Sequence, residues 1–142
     1  MRHVFRGAGL LAAAGALTLV GSGTASAGVF GTIDNRTPYY FDAGDLEGGS
    51  SRCKIWNKDG GSKISNKTFD CTIENIAPHT QTGTWFDADS LRPRGGQNEY
   101  KVRWGDDGHW TWVSTYVYTK IQSDEIAKCT STALGLVECT VD

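Results

Sequence analysis

Along residues 28–142 apolar and polar positions alternate in short runs, with turn residues recurring about every ten positions and no sustained helical period. The alternation predicts a strand over Val29–Asp34, a second over Tyr39–Asp42 after "NRTP", and a third marked by Cys53, Ile55 and Trp56. Lys67–Ile76 alternates best, with Phe69, Cys71 and Ile73 on one face. Thr84–Phe86 reads as a short strand and "DADSLRPRGGQ", residues 87–97, as a long polar loop. A hairpin follows in "NEYKVRWGDDGHWTWVSTYVY", residues 98–118, and a smaller one over Ala127–Val141 about "ALG". Many short strands joined by Gly-rich turns predict an all-β fold, a small antiparallel β-sandwich.

The first hairpin holds three of the five tryptophans. Along Trp110–Tyr118, Trp110, Trp112, Ser114, Tyr116 and Tyr118 line one face of the predicted strand, and Thr111, Val113, Thr115 and Val117 the other. In the preceding strand Tyr100, Val102 and Trp104 oppose Lys101 and Arg103 in the same way. A three-residue turn, Asp106-Asp107-Gly108, sets Trp104 opposite Trp110 and gathers the large aromatics on one side. A two-residue Asp107-Gly108 turn slips the register by one and sets Trp110 and Trp112 beside Lys101 and Arg103. The first gives one apolar and one polar face and is preferred. It makes Trp104 and Trp112 core residues. Trp110, Tyr116 and Tyr118, nearer the strand ends, become the expected outer binding surface, since Tyr and Trp serve sites with one apolar and one wet side.

The first 27 residues change the setting. Arg2 and Arg6 precede an apolar run from about Ala8 to Val20, and Ala25-Ser26-Ala27 offers a small-residue cleavage site. That layout predicts a secretory signal peptide over residues 1–27 and a single exported domain over 28–142. Without Arg2 and Arg6 the 14 basic residues fall to 12 against 16 acids, a net charge of −4. This balance argues against a nucleic-acid partner. The four cysteines, Cys53, Cys71, Cys129 and Cys139, suit two disulfides in an exported domain. Local pairing as Cys53–Cys71 and Cys129–Cys139 needs the least chain reorganisation. Their spacing does not suit zinc.

Catalytic chemistry finds little support, and no cofactor or metal is expected. The exported part holds only His79 and His109, both in turn regions, and no G-x-S-x-G motif. The pairs Asp87/Asp89 and Asp106/Asp107 lie at turns, where carboxylates bond local backbone. Asp106-Asp107-Gly108 lacks the further oxygens of a calcium loop. Asn35-Arg36-Thr37 and Asn66-Lys67-Thr68 match glycan acceptors, discounted here because the Gly/Ala-rich signal looks bacterial.

"GTIDNRTPYYFDAGDL", "NIAPHTQTGTW" and "EYKVRWGDDGHWTWVSTYVY" together resemble the aegerolysin-like proteins. The matching positions are the Asn35–Thr37 turn, Ile76–Pro78 leading to Trp85, and the hairpin from Tyr100 to Trp112, over roughly residues 30 to 118. The resemblance implies a secreted β-sandwich that binds membrane lipid and often serves a secreted partner protein that makes the pore. The expectation is a non-enzymatic module recognising membrane lipid or a cell surface, or a toxin component. The alternative is an inhibitor of a secreted enzyme such as a protease, offering the 87–97 loop or the stapled tail about Leu134-Gly135-Leu136 as a rigid ligand. A glycan-binding domain would use the same aromatics.

Overall fold

A computed structural model describes residues 30–105 and 108–142. The signal-peptide assignment and two residues of the hairpin turn, Asp106 and Asp107, lie outside the described residues. Eleven strands are formed: β1 Thr32–Asn35, β2 Phe41–Asp45, β3 Ser51–Ile55, β4 Lys67–Ile76, β5 Thr80–Gln81, β6 Ser90–Pro93, β7 Glu99–Trp104, β8 Thr111–Ser114, β9 Thr119–Lys120, β10 Ile126–Ser131 and β11 Val137–Val141. They build two sheets, a six-stranded one in the order β5-β1-β10-β11-β7-β8 and a five-stranded one in the order β3-β4-β2-β6-β9.

The fold is the expected all-β sandwich. Its six-stranded sheet also contains two parallel pairings, β1 with β10 and β11 with β7, which join strands distant in sequence. Inward positions alternate as strand geometry requires: Tyr100 and Val102 of β7, Val137, Cys139 and Val141 of β11, and Phe41 and Ala43 of β2 are buried. Trp56, Phe86 and Leu91 complete the main core. A second cluster forms on the other side of β4, where Phe69, Cys71 and Ile73 meet Cys53, Ile55 and Tyr118. Ile55 and Tyr118 are bridged, with the Tyr118 N–H donating to the Lys54 carbonyl at 2.8 Å. That bridge joins the two ends of the five-stranded sheet, which curls round this cluster.

Both disulfides are formed as the spacing predicts, Cys53–Cys71 and Cys129–Cys139. The second staples two directly opposed residues of the β10–β11 hairpin. Two bridges in a chain of this size fit an oxidising, extracellular compartment.

Two predicted elements differ. Residues 84–86 form a turn and not a strand, and the supposed loop over 87–97 contains β6, buried between β2 and β9. Pro93 is tolerated there at the strand's last position, where it interrupts no further ladder.

Candidate functional site

The predicted aromatic surface divides into three locations. β8 stops at Ser114. There the Thr115 N–H turns to the Asn98 carbonyl at 2.9 Å and the Val117 N–H closes on the Ser114 carbonyl at 3.1 Å. The alternation that would tie Trp110, Trp112, Tyr116 and Tyr118 to one face ends at this turn. Tyr116 stands out at the turn, 76% exposed. Tyr118 re-enters the interior, only 3% exposed, so it is not part of an outer surface. Its hydroxyl lies 3.4 Å from the Asp42 carboxylate and Arg92 covers its ring. Burial raises its pKa to about 12, against the favourable charge of Arg92.

The hairpin register also departs from the preferred one. Lys101 is opposite Trp112 and Val102 opposite Thr111, so Trp112 shares its face with Lys101 and Arg103. Trp112 is 56% exposed and is not core, while Trp104 packs partly buried against Trp56 with ring centres 6.2 Å apart. The slip places Val113 inside beside Tyr100 and Val102. It also creates a stack outside. The Arg103 guanidinium lies 4.7 Å from the Trp110 ring, and the Lys101 ammonium 4.9 Å from Trp110 and 5.5 Å from Trp112. Trp110, 37% exposed, is therefore a surface residue as expected, but it belongs to the sheet face and not to the surface of Tyr116.

Tyr116 belongs to one end of the sandwich. The strand pairings bring the β1–β2, β6–β7, β8–β9 and β10–β11 connections to the same end. Residues 94–98 lie at its centre. With Arg92, Thr115 and Tyr116 they line a cleft of about 330 Å³, and a neighbouring cleft of about 370 Å³ is lined by Pro38, Tyr39, Tyr40, Arg94 and Gly95. Gln97 donates its amide N–H to the Leu134 carbonyl at 3.1 Å, tying the tip of the stapled hairpin to the same loop. Tyr40, Tyr116 and Leu134 are 55%, 76% and 85% exposed; Tyr40 and Tyr116 each line a cleft with Arg94, and Leu134 is held to the same loop through Gln97.

This end is built, not frayed. Asn35, fully buried, donates to the carbonyls of Tyr39 and Ala77 at 2.7 and 3.0 Å and accepts the Thr37 N–H and hydroxyl. The Asn-Arg-Thr sequence is thus a clasp for the β1–β2 loop, and its buried amide is closed to a glycan. Gly96 and Gly135 have φ of +88° and +80°. A Cβ at Gly96 would sit 2.6 Å from the Gly135 carbonyl oxygen, so the two loops approach as only glycine permits. Below the clefts Asp42 is nearly buried. It binds Arg92, lies 3.6 Å from the Arg94 guanidinium and accepts from Asn75 at 2.7 Å. That pairing orients both arginines from beneath. Sequence reasoning missed Tyr40, Arg94 and Leu134 as one surface, because only the sheet pairings bring their loops together.

His79 and His109 are exposed, and no cluster of three or more metal-ligating side chains occurs among the described residues. No family model, curated protein or solved structure matches this chain.

Proposed function

We propose that the chain is an exported, non-enzymatic recognition module that meets a lipid membrane at a cell surface with its Tyr40–Arg94–Tyr116–Leu134 end. The observation that carries this reading is that three large apolar-bodied side chains, all mostly exposed, stand on the clasped loops of the end that also presents Arg92 and Arg94. Tyrosine and leucine at loop tips suit the boundary between headgroups and acyl chains, and arginine suits phosphate. Rigid loops lose little entropy on binding. The resemblance to the aegerolysin-like proteins points the same way, and a secreted partner that makes a pore would then act beside this module.

The test is co-sedimentation of the oxidised chain with zwitterionic and with anionic phospholipid vesicles. Tyr116→Ala with Leu134→Ala should weaken vesicle binding roughly tenfold or more, as loss of interface anchors does. Melting should change little, because both side chains are exposed. His79→Ala and His109→Ala should leave binding intact. Unaltered sedimentation of the double variant would overturn the reading. Leu134 at the tip of a disulfide-stapled hairpin also favours a second reading, a protease inhibitor. Inhibition of a protease panel that Leu134→Ala abolishes, without vesicle binding, would select it.

A further inference from the structure

The outer face of the six-stranded sheet carries a feature that the loop end does not explain. Its side chains fall into two rows across four strands. One row runs Thr130, Glu138, Lys101, Trp112, each opposite the next in register. The other runs Lys128, Thr140, Arg103 and on to Trp110, whose ring Arg103 covers. At the spacing of neighbouring strands each row is about 14 Å long. Between them lies a shallow groove of about 380 Å³, with Trp110 as one wall and Asp142 near one end. That volume falls in the lower part of the usual range for ligand sites, about 300–1,000 Å³.

The chemistry of the groove is mixed and held in place. Lys101 binds Glu138 at 2.6 Å, Lys128 binds Asp142 at 3.1 Å, and the Arg103 Nε–H donates to the Thr140 hydroxyl at 3.3 Å. Of the residues that line the groove, two acids, Glu138 and Asp142, balance two bases, Arg103 and Lys128, so the groove does not select an anion. Its floor of threonines and charges does not suit an apolar ligand, which would strip them of water without return. A ligand bearing many hydroxyls suits both kinds of partner, because each hydroxyl donates to a carboxylate or accepts from a cation. Such hydrogen bonds to charged groups are the stronger kind. The open groove between two rows of side chains favours a chain over a small ion, and Trp110, still 37% exposed beside Arg103 and Lys101, offers an apolar contact to the C–H face of a sugar ring.

From this arrangement we infer that the groove is a binding site for a neutral oligosaccharide chain, separate from the membrane-docking end and independent of it. The groove recognises the hydroxyl-rich polymer, and the tryptophan–cation stack keeps its wall rigid before the ligand arrives.

The experiment titrates the oxidised chain with cellohexaose, chitohexaose, maltohexaose and laminarihexaose, followed by tryptophan fluorescence and calorimetry. A galacturonate hexamer and inorganic phosphate serve as anionic arms. At least one neutral hexasaccharide should bind saturably and more tightly than either anion. Trp110→Ala should weaken that binding roughly tenfold or more. Glu138→Gln, which keeps the side-chain shape, should weaken it in the same direction, guarding against a misfolded tryptophan variant. Tyr116→Ala should leave it unchanged, so loss of vesicle binding and loss of sugar binding are told apart. Failure of all four neutral probes, tighter binding of an anionic one, or indifference to both groove substitutions would overturn the assignment.

Discussion

Tyr100 and Trp112 sit one strand apart on adjacent registers, yet removing them has opposite consequences. Tyr100 is fully buried, with its hydroxyl 2.7 Å from that of Thr119. Tyr100→Ala should cost about 3–5 kcal/mol, the usual penalty for a large core aromatic. Trp112 is 56% exposed, with the Lys101 ammonium 5.5 Å from its ring, so Trp112→Ala should cost about 1 kcal/mol or less, the value of an exposed cation–π contact with a small surface term. Chemical denaturation of the two variants checks this. A large loss for Trp112→Ala would mean that its face is covered. The alternation over 110–114 and 100–104 was legible in the sequence, and it placed the two faces of each strand correctly. Which faces align was not legible, because side-chain period two makes a one-residue slip invisible in either strand alone. The slip is decided by Val113, which the core accepts, and by Lys101 and Arg103, which it does not.

At the scale of elements, each disulfide closes a loop within one supersecondary unit. Cys53–Cys71 spans 18 residues across β3–β4, and Cys129–Cys139 spans 10 across β10–β11. Chain entropy assigns about 3 kcal/mol to each and about 0.5 kcal/mol more to the longer loop. Paired Cys→Ala variants, compared by denaturant unfolding, should therefore both lose stability, the Cys53/Cys71 pair slightly more. Cys129→Ala with Cys139→Ala should also loosen the Leu134 tip, read as faster amide exchange over residues 132–136. Equal exchange in both proteins would show that Gln97 and the two glycines hold the tip without the staple. β4 was legible over its full length, because Phe69, Cys71 and Ile73 alternate with polar residues through its centre, although Ile76 at its end falls on the other face. β6 was missed, because Asp, Arg and Pro around Ser90–Leu91 spell a turn locally. Asp42 supplies the partner that makes Arg92 tolerable in a buried strand, and that partner lies 50 residues away.

The whole molecule joins two kinds of surface, a clasped loop end and an open sheet face, on a core whose polar members set its response to pH. Tyr100 and Tyr118 are both raised above their ordinary value of 10.0, chiefly by burial, Tyr118 to about 12. A phenol whose folded pKa lies above the unfolded one contributes stability in full below pH 10, and loses it as pH rises through the folded value. The unfolded chain sheds these protons first, so each tyrosine makes stability fall by up to about 1.4 kcal/mol per pH unit above pH 10. Asp89 is shifted upward too, first by burial, although it accepts the Leu46 N–H at 2.8 Å. The same sign applies to it. Its protonated form suits the fold, and that contribution fades as pH rises through the folded pKa. At neutral pH the ionised carboxylate is therefore a cost. Asp89→Asn keeps an acceptor for Leu46 and removes the charge, so it should raise the melting temperature at neutral pH. The gain should close as pH falls below the ordinary value of 3.8. Tyr118→Phe should make the alkaline decline shallower, since one of the two late-titrating phenols is gone. Melting curves across the acid and alkaline ranges measure both effects. A neutral-pH loss in Asp89→Asn would mean that its bond to Leu46 depends on the full negative charge, which would make the β2–β3 connection rather than desolvation the dominant feature of that site.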